Sequence, residues 1–179
     1  MLSSVAPNLG DVVPFEDLPK GHKIIRYPIR NFNDAVIQKL VEESFNQRVV
    51  DNYIDQLLSC DALVYYETAD KGLAIVIPAP GYGIPPHLKT FAVSPNEQEK
   101  GVGSDLLTAV RYDFKQFNLR SRKDRISPNE KYEHWIGKPK EFVSIDGITY
   151  NGYFENHSRL EKQLALEYMA KRPSACRRQ

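Results

Sequence analysis

Apolar and polar positions repeat along this chain with two different periods, and the changes between them divide it into short elements. Lys23-Ile24-Ile25-Arg26-Tyr27 is a brief β-rich run. From Asp34 to Phe45, Val36, Ile37, Leu40 and Val41 recur at helical spacing and predict an amphipathic helix. A second helix is predicted from Val49 to Leu58, on Val50, Tyr53, Ile54, Leu57 and Leu58. Ala62 to Thr68 and Leu73 to Pro78 are β-rich and flank Ala69-Asp70-Lys71-Gly72, whose Asp and Gly favour a turn, so an antiparallel hairpin is expected. After a loop with Gly81, Gly83, Pro85 and Pro86, His87 to Val93 reads as a strand. Gly101 to Phe114 reads as a helix with Val102, Leu106, Leu107, Val110 and Phe114 inward.

Further on, Asn118 to Arg122 is expected to be a strand and Asn129 to Trp135 a short helix. Glu141 to Ile145 and Ile148 to Phe154 should close a hairpin around Asp146-Gly147, and Ser158 to Ala170 a final helix capped by Ser158. Residues 1–21 lack periodicity and contain three prolines and two glycines, which suits an extended N-terminal arm or linker. The domain is read as 22–170, and 171–179 as a basic, flexible tail.

Composition narrows the class. A chain of 179 residues, 41% hydrophobic and 26% charged, suits one globular domain. With 24 basic against 23 acidic residues, its net charge of +1 offers no bulk attraction to nucleic acid or an anionic membrane, so an anionic ligand must be caught locally. No apolar run approaches the roughly eighteen residues of a membrane span. Cys60 and Cys176 lie far apart and no metal-ligand spacing occurs, so neither a disulfide framework nor a metal site is expected, and a reducing compartment fits. Asp11, Glu16 and Asp17, with no Arg before Leu18, argue against a presequence or secretory signal. The expected location is cytoplasmic, with the mitochondrial matrix as the alternative for a piece of a larger eukaryotic protein.

The loop between the His87–Val93 strand and the next helix carries the clearest chemistry. In Phe91-Ala92-Val93-Ser94-Pro95-Asn96-Glu97-Gln98-Glu99-Lys100-Gly101-Val102-Gly103-Ser104 a strand passes through a polar turn into a helix. Gly101 and Gly103 allow close backbone approach, and first-turn N–H groups lack intrahelical partners at the positive end of the helix dipole, which suits a pyrophosphate. Lys100 and the Ser104 hydroxyl can add to it. QxxGxG alone also describes an ordinary turn in any α/β domain.

Arg120 and Arg122 stand at strand spacing and so are expected on one face, where guanidinium forks suit a carboxylate; a solvated edge strand with ion pairs reads the same. Tyr132 lies one helical turn beyond Asn129, and the two are expected to face one cleft. A phenol of pKa about 10 can protonate a departing thiolate. With ten tyrosines in the chain, a packing role reads equally well.

Together these segments, from about Lys23 to Tyr132, resemble the acetyltransferase domain of N-acetylglutamate synthase, a GNAT-type domain. The carriers are Ile25-Arg26-Tyr27, Leu40 to Phe45, Leu88 with Phe91-Ala92-Val93, Gln98 to Gly103, Arg120-Ser121-Arg122, and Asn129 with Tyr132. The resemblance implies an α/β (α+β) GNAT fold whose central mixed, mostly antiparallel sheet is splayed at the strand before the QxxGxG loop and flanked by helices. It implies acetyl-coenzyme A as co-substrate, held by Phe91, Ala92, Val93, Gln98, Lys100, Gly101, Val102, Gly103 and Ser104. An acidic amino acid is implied as acceptor, bound by Lys89, Arg120 and Arg122, with Val93 N–H as oxyanion donor and Tyr132 and Asn129 in the catalytic site. No metal, nucleic acid or membrane enters.

Departures from the family pattern fall in the site. Where the family strand reads Leu, Asp, Lys, Phe, this chain has Leu88-Lys89-Thr90-Phe91, so the substrate-binding lysine is displaced by one place, which on a regular strand moves it to the other face. The family's Asn-Pro after the arginines is replaced by Asp124-Arg125, with one extra residue before Asn129, and its Trp before Arg-Ser-Arg by Leu119. Losing one charged hydrogen bond costs about 1.5 to 3 kcal/mol, roughly tenfold to a hundredfold in affinity. A non-catalytic domain that regulates or assembles an amino-acid kinase is therefore the alternative, and an amino-acid kinase domain or a second copy of the chain is the expected protein partner.

Overall fold

The computed structural model describes residues 8–78, 86–114, 117–122, 131–136, 142–145 and 148–151. Strands β1 (Val13–Phe15), β2 (Ile24–Pro28), β3 (Leu63–Glu67), β4 (Gly72–Ile77), β5 (His87–Val93), β6 (Phe117–Arg122), β7 (Lys131–Ile136), β8 (Phe142–Ile145) and β9 (Ile148–Asn151) form one sheet in the order β1-β2-β3-β4-β5-β6-β7-β9-β8. The sheet is mixed and mostly antiparallel; β5 and β6 pair parallel, as do β7 and β9.

Helix α1 (Asp34–Phe45) begins where the Asn33 side chain accepts the Ala35 N–H at 2.9 Å, and Asn46, in the left-handed region, follows its end. With α2 (Tyr53–Ser59) it covers one face of the sheet: Ile37, Leu40 and Leu57 pack on Val64, Leu73, Ile75, Ile77 and Ala92. Helix α3 (Val102–Asp113) covers the other, where Val102, Leu106, Ala109 and Val110 meet Leu63, Tyr65, Ala74, Val76 and Leu88. The strict alternation Leu73, Ile75, Ile77 against Ala74, Val76 follows from the side-chain period of a strand. All six residues of β4 are buried, since helices cover both of its faces and β3 and β5 flank it.

Three sequence expectations are corrected. The segment expected as a helix over Asn129 to Trp135 is strand β7 over its described residues. Its register with β6, from Phe117↔Ile136 to Arg122↔Lys131, supplies the backbone partners that a short segment cannot outweigh by local propensity. Helix α2 starts at Tyr53 rather than near Val49: the Val49 N–H is taken by the Glu42 side chain at 3.0 Å, and Val50 stays exposed. Cys60 is disulfide-bonded. The expectation of unpaired cysteines rested on sequence separation, which sets no limit on proximity in space. The helix expected over Ser158 to Ala170, the tail, and Asn129 lie outside the described residues, as does Cys176.

Part of the leading arm belongs to the sheet, since β1 pairs antiparallel with β2 from Val13↔Arg26 to Phe15↔Ile24. A buried ion pair holds it there. Arg26, 1% exposed, donates to Asp113 at 2.6 Å from the end of α3 and to the carbonyl of Asn8 at 2.7 Å, and the Tyr65 hydroxyl donates to the same Asp113 oxygen at 2.7 Å. Burial, and then the Asp113 charge, hold the Tyr65 phenol well above the usual range. Removing one partner strands the other charge away from water. Asp113→Asn is therefore expected to destabilise the fold by about 3 kcal/mol or more. Denaturant unfolding of the variant beside wild type, with an unchanged slope, measures this.

Candidate functional site

The sheet opens between β5 and β6. Only His87↔Asn118 and Leu88↔Leu119 pair across them, and beyond these the ladder stops although both strands continue. The direction of the β5 backbone follows from its other edge. Ser94 donates its N–H to the Lys71 carbonyl at 2.8 Å, which makes these two a hydrogen-bonded pair of the β4–β5 ladder. In an antiparallel ladder the next residue points the opposite way, so Val93 N–H and C=O face the side that β6 has left. Phe91, two residues earlier, faces the same side. These groups lie on the edge of β5 that β6 leaves unpaired, an edge suited to strand-like hydrogen bonds with an elongated ligand.

Beyond this edge the chain passes through Pro95–Glu97 into the start of α3. Gly101 is the N-cap, with φ +88°, and no side chain caps the helix, which leaves its first N–H groups for an anion. Gly103 packs closely under Phe91: a Cβ there would lie 3.2 Å from Phe91 Cζ. The Gln98 side chain reaches toward the Val93 carbonyl at 3.5 Å, and Lys100, exposed, pairs with Glu97 at 3.5 Å. Ala92 and Val102 place their side chains in the two cores, so only their backbone can serve a ligand. Ser104 is exposed in the first turn. The loop residues expected from the sequence are thus assembled around one helix start.

Behind them sits a carboxylate that the sequence reading passed over. Asp105 is fully buried and accepts the Lys20 N–H on Oδ1 and the His22 N–H on Oδ2, each at 3.0 Å. His22 Nε2 lies 3.1 Å from the Lys100 carbonyl. An Asp between Val102 and Leu106 on the inward stripe of α3 was the available signal, since a buried charge needs partners.

Lys89 coincides with a β-bulge. Ile75 pairs with Thr90 and Val76 with Leu88, so Lys89 is the extra residue, and it is 2% exposed. At a bulge two residues oppose one and alternation is interrupted, so the expected change of face for the displaced lysine does not follow from counting. Thr90, which takes the place of the family's lysine, is fully buried, and its hydroxyl meets that of Tyr53 from α2 at 2.5 Å. Burial pushes the Tyr53 phenol up to about 12, against the lowering effect of the Thr90 hydrogen bond. Arg120 and Arg122 occupy alternate positions of β6 beyond the point where it leaves β5. Tyr132 lies opposite Ser121, between them along the strand direction. The argument that placed Tyr132 one helical turn from Asn129 falls with the helix.

The family model for the N-acetyltransferase of N-acetylglutamate synthase matches residues 24–132, more than half of the chain. No curated protein matches. Among solved structures, a protein assigned to the GNAT acetyltransferases from Desulfovibrio desulfuricans is similar at 21% identity and TM-score 0.43, covering 57% of this chain and 76% of its own. The ribosomal-protein-S18-alanine N-acetyltransferase of Escherichia coli is 12% identical with TM-score 0.45, covering 75% of this chain and 99% of its own. A GNAT acetyltransferase from Elizabethkingia anophelis, with acetyl-CoA bound, is 15% identical with TM-score 0.40, covering 72% and 92%.

Two outcomes follow from the Tyr53–Thr90 contact. The neutral Tyr53 phenol stabilises the native chain fully below its unfolded value near 10.0, and this contribution is lost as pH rises toward about 12. Tyr66 shares that window. Tyr53→Phe should therefore flatten, without abolishing, the fall in stability between those values, read from denaturant midpoints at stepped pH. Thr90→Lys, which restores the family's residue, buries an ammonium group and should lower stability by about 3 kcal/mol or more, measured in the same way.

Proposed function

Because the chain belongs to the N-acetyltransferase family of N-acetylglutamate synthase, we propose that it transfers the acetyl group of acetyl-coenzyme A to the α-amine of L-glutamate or a similar acidic amino acid. The observation that carries this reading is the extent of the family match, which spans the Gln98–Gly103 loop, Arg120-Ser121-Arg122 and Tyr132 together. The uncapped start of α3 suits the pyrophosphate, and the β5 edge at Phe91 and Val93 suits the pantetheine arm.

In the proposed reaction the free amine attacks the thioester carbon. Val93 N–H, on the unpaired edge of β5, receives the negative charge that forms on the carbonyl oxygen, a preorganised donor of the kind that lowers such barriers most. As the C–N bond forms and the C–S bond breaks, Tyr132 protonates the departing sulfur, and the ammonium proton passes to water. Arg120 and Arg122 orient the acceptor carboxylates, with Lys89 and Asn129 as further candidates of that site.

One observation favours a second reading, a non-catalytic domain that regulates or assembles an amino-acid kinase: the position of the family's lysine is a buried threonine tied to Tyr53. Thiol release from acetyl-coenzyme A, measured with L-glutamate and a panel of other amino acids, decides between them. The enzyme reading expects acceptor-dependent release, a fall in kcat of about a hundredfold or more in Tyr132→Phe, and a rise of about tenfold in the acceptor KM in Arg120→Gln. Coenzyme A binding with silence across the whole panel would establish the regulatory reading instead.

A further inference from the structure

The arm and the start of α3 are bound to each other more closely than a linker and a domain need be. The Asp105 carboxylate, one turn into α3 and fully buried, takes the N–H groups of both Lys20 and His22. Between them Gly21 donates its N–H to the Leu18 carbonyl at 2.9 Å, so Leu18 to Gly21 is a closed turn whose neighbouring N–H groups converge on one carboxylate. The side chain of Lys20 runs across Gly101: a Cβ on that glycine would stand 2.7 Å from Lys20 Cγ, 2.8 Å from its Cβ and 3.3 Å from its Cδ. The lysine stem thus packs on the N-cap residue of the uncapped helix, and its ammonium group is two bonds beyond Cδ. His22 closes the arrangement from the other side, with Nε2 at the Lys100 carbonyl and Nδ1 3.9 Å from Glu67, whose carboxylate also accepts the N–H groups of Ala69 and Lys71.

Charge explains why such a latch matters. A carboxylate in the first turn of a helix is favoured by the helix dipole but repels an anion bound at the same end. Here two backbone donors absorb the Asp105 charge, and the same contact holds the Lys20 stem against Gly101 at the helix start. Resting on the proposed acetyl-coenzyme A chemistry, we propose that Leu18–His22 is the outer wall of the pyrophosphate site, that Lys20 supplies a cation to the bound phosphates, and that Asp105 is the positioning residue that fixes it there. The arm is then part of the substrate site, and acetyl-coenzyme A affinity depends on residues that precede the family match.

Calorimetric titration of the full chain with coenzyme A, at several salt concentrations, tests this. Lys20→Met, which keeps the packing on Gly101, should raise Kd about threefold and make its salt dependence shallower, and Lys20→Arg should restore both. Asp105→Asn should raise Kd about tenfold through loss of the latch. Denaturant midpoints of the Lys20 variants should equal that of wild type, an outcome that a general loss of structure would not give. No coenzyme A binding by wild type overturns the proposed function along with this inference. Wild-type binding with equal Kd in Lys20→Met, or tighter binding in Asp105→Asn, overturns the inference alone. Should Asp105→Asn not fold, the two Lys20 variants decide by the same criterion.

Discussion

The parallel pairing of β5 with β6 ends after two residue pairs, and the geometry of the candidate site depends on that ending. A continuous ladder would engage the Phe91 and Val93 backbone with β6 and leave no space between the strands. With the ladder cut short, the same groups stay unpaired toward β6, the uncapped start of α3 follows β5 in the chain, and Arg120 and Arg122 continue along β6. The two helical layers make this tolerable. Because β4 is buried along its whole length and both faces of the sheet are covered, the interior is held by β2 to β5 with α1, α2 and α3 rather than by the strand pair that separates.

Much of this was legible in the chain because the period changes are sharp. The bounds of α1 and β5 coincide with the ends of their patterns, and the turn chemistry at Asp70 and Gly72 marks the β3–β4 hairpin. The turn into α3 was readable from Gly101 and the amphipathic stripe that follows it. Strand β7 was not: Lys131-Tyr132-Glu133-His134-Trp135-Ile136 satisfies a short helix as well as a strand, and only pairing with β6 decides it. Register is a property of two segments and cannot be read from either.

What was missed in the site has a common physical origin. The Lys89 bulge, the Tyr53–Thr90 contact and the Asp105 latch each join residues distant in sequence, 37 positions apart for Tyr53 and Thr90 and 85 for Lys20 and Asp105. Each nevertheless left a trace as a polar residue on an apolar stripe. Thr90 within a strand and Asp105 within a helix are out of pattern locally, and the structure supplies each with the partner that burial requires.

The Arg26–Asp113 pair also joins distant parts of the chain. Its members are 87 positions apart. Without Asp113, burying that guanidinium would mean desolvating a cation whose charge partner is missing. The contact thus ties the burial of the β1–β2 pair to the presence of a helix end far along the chain.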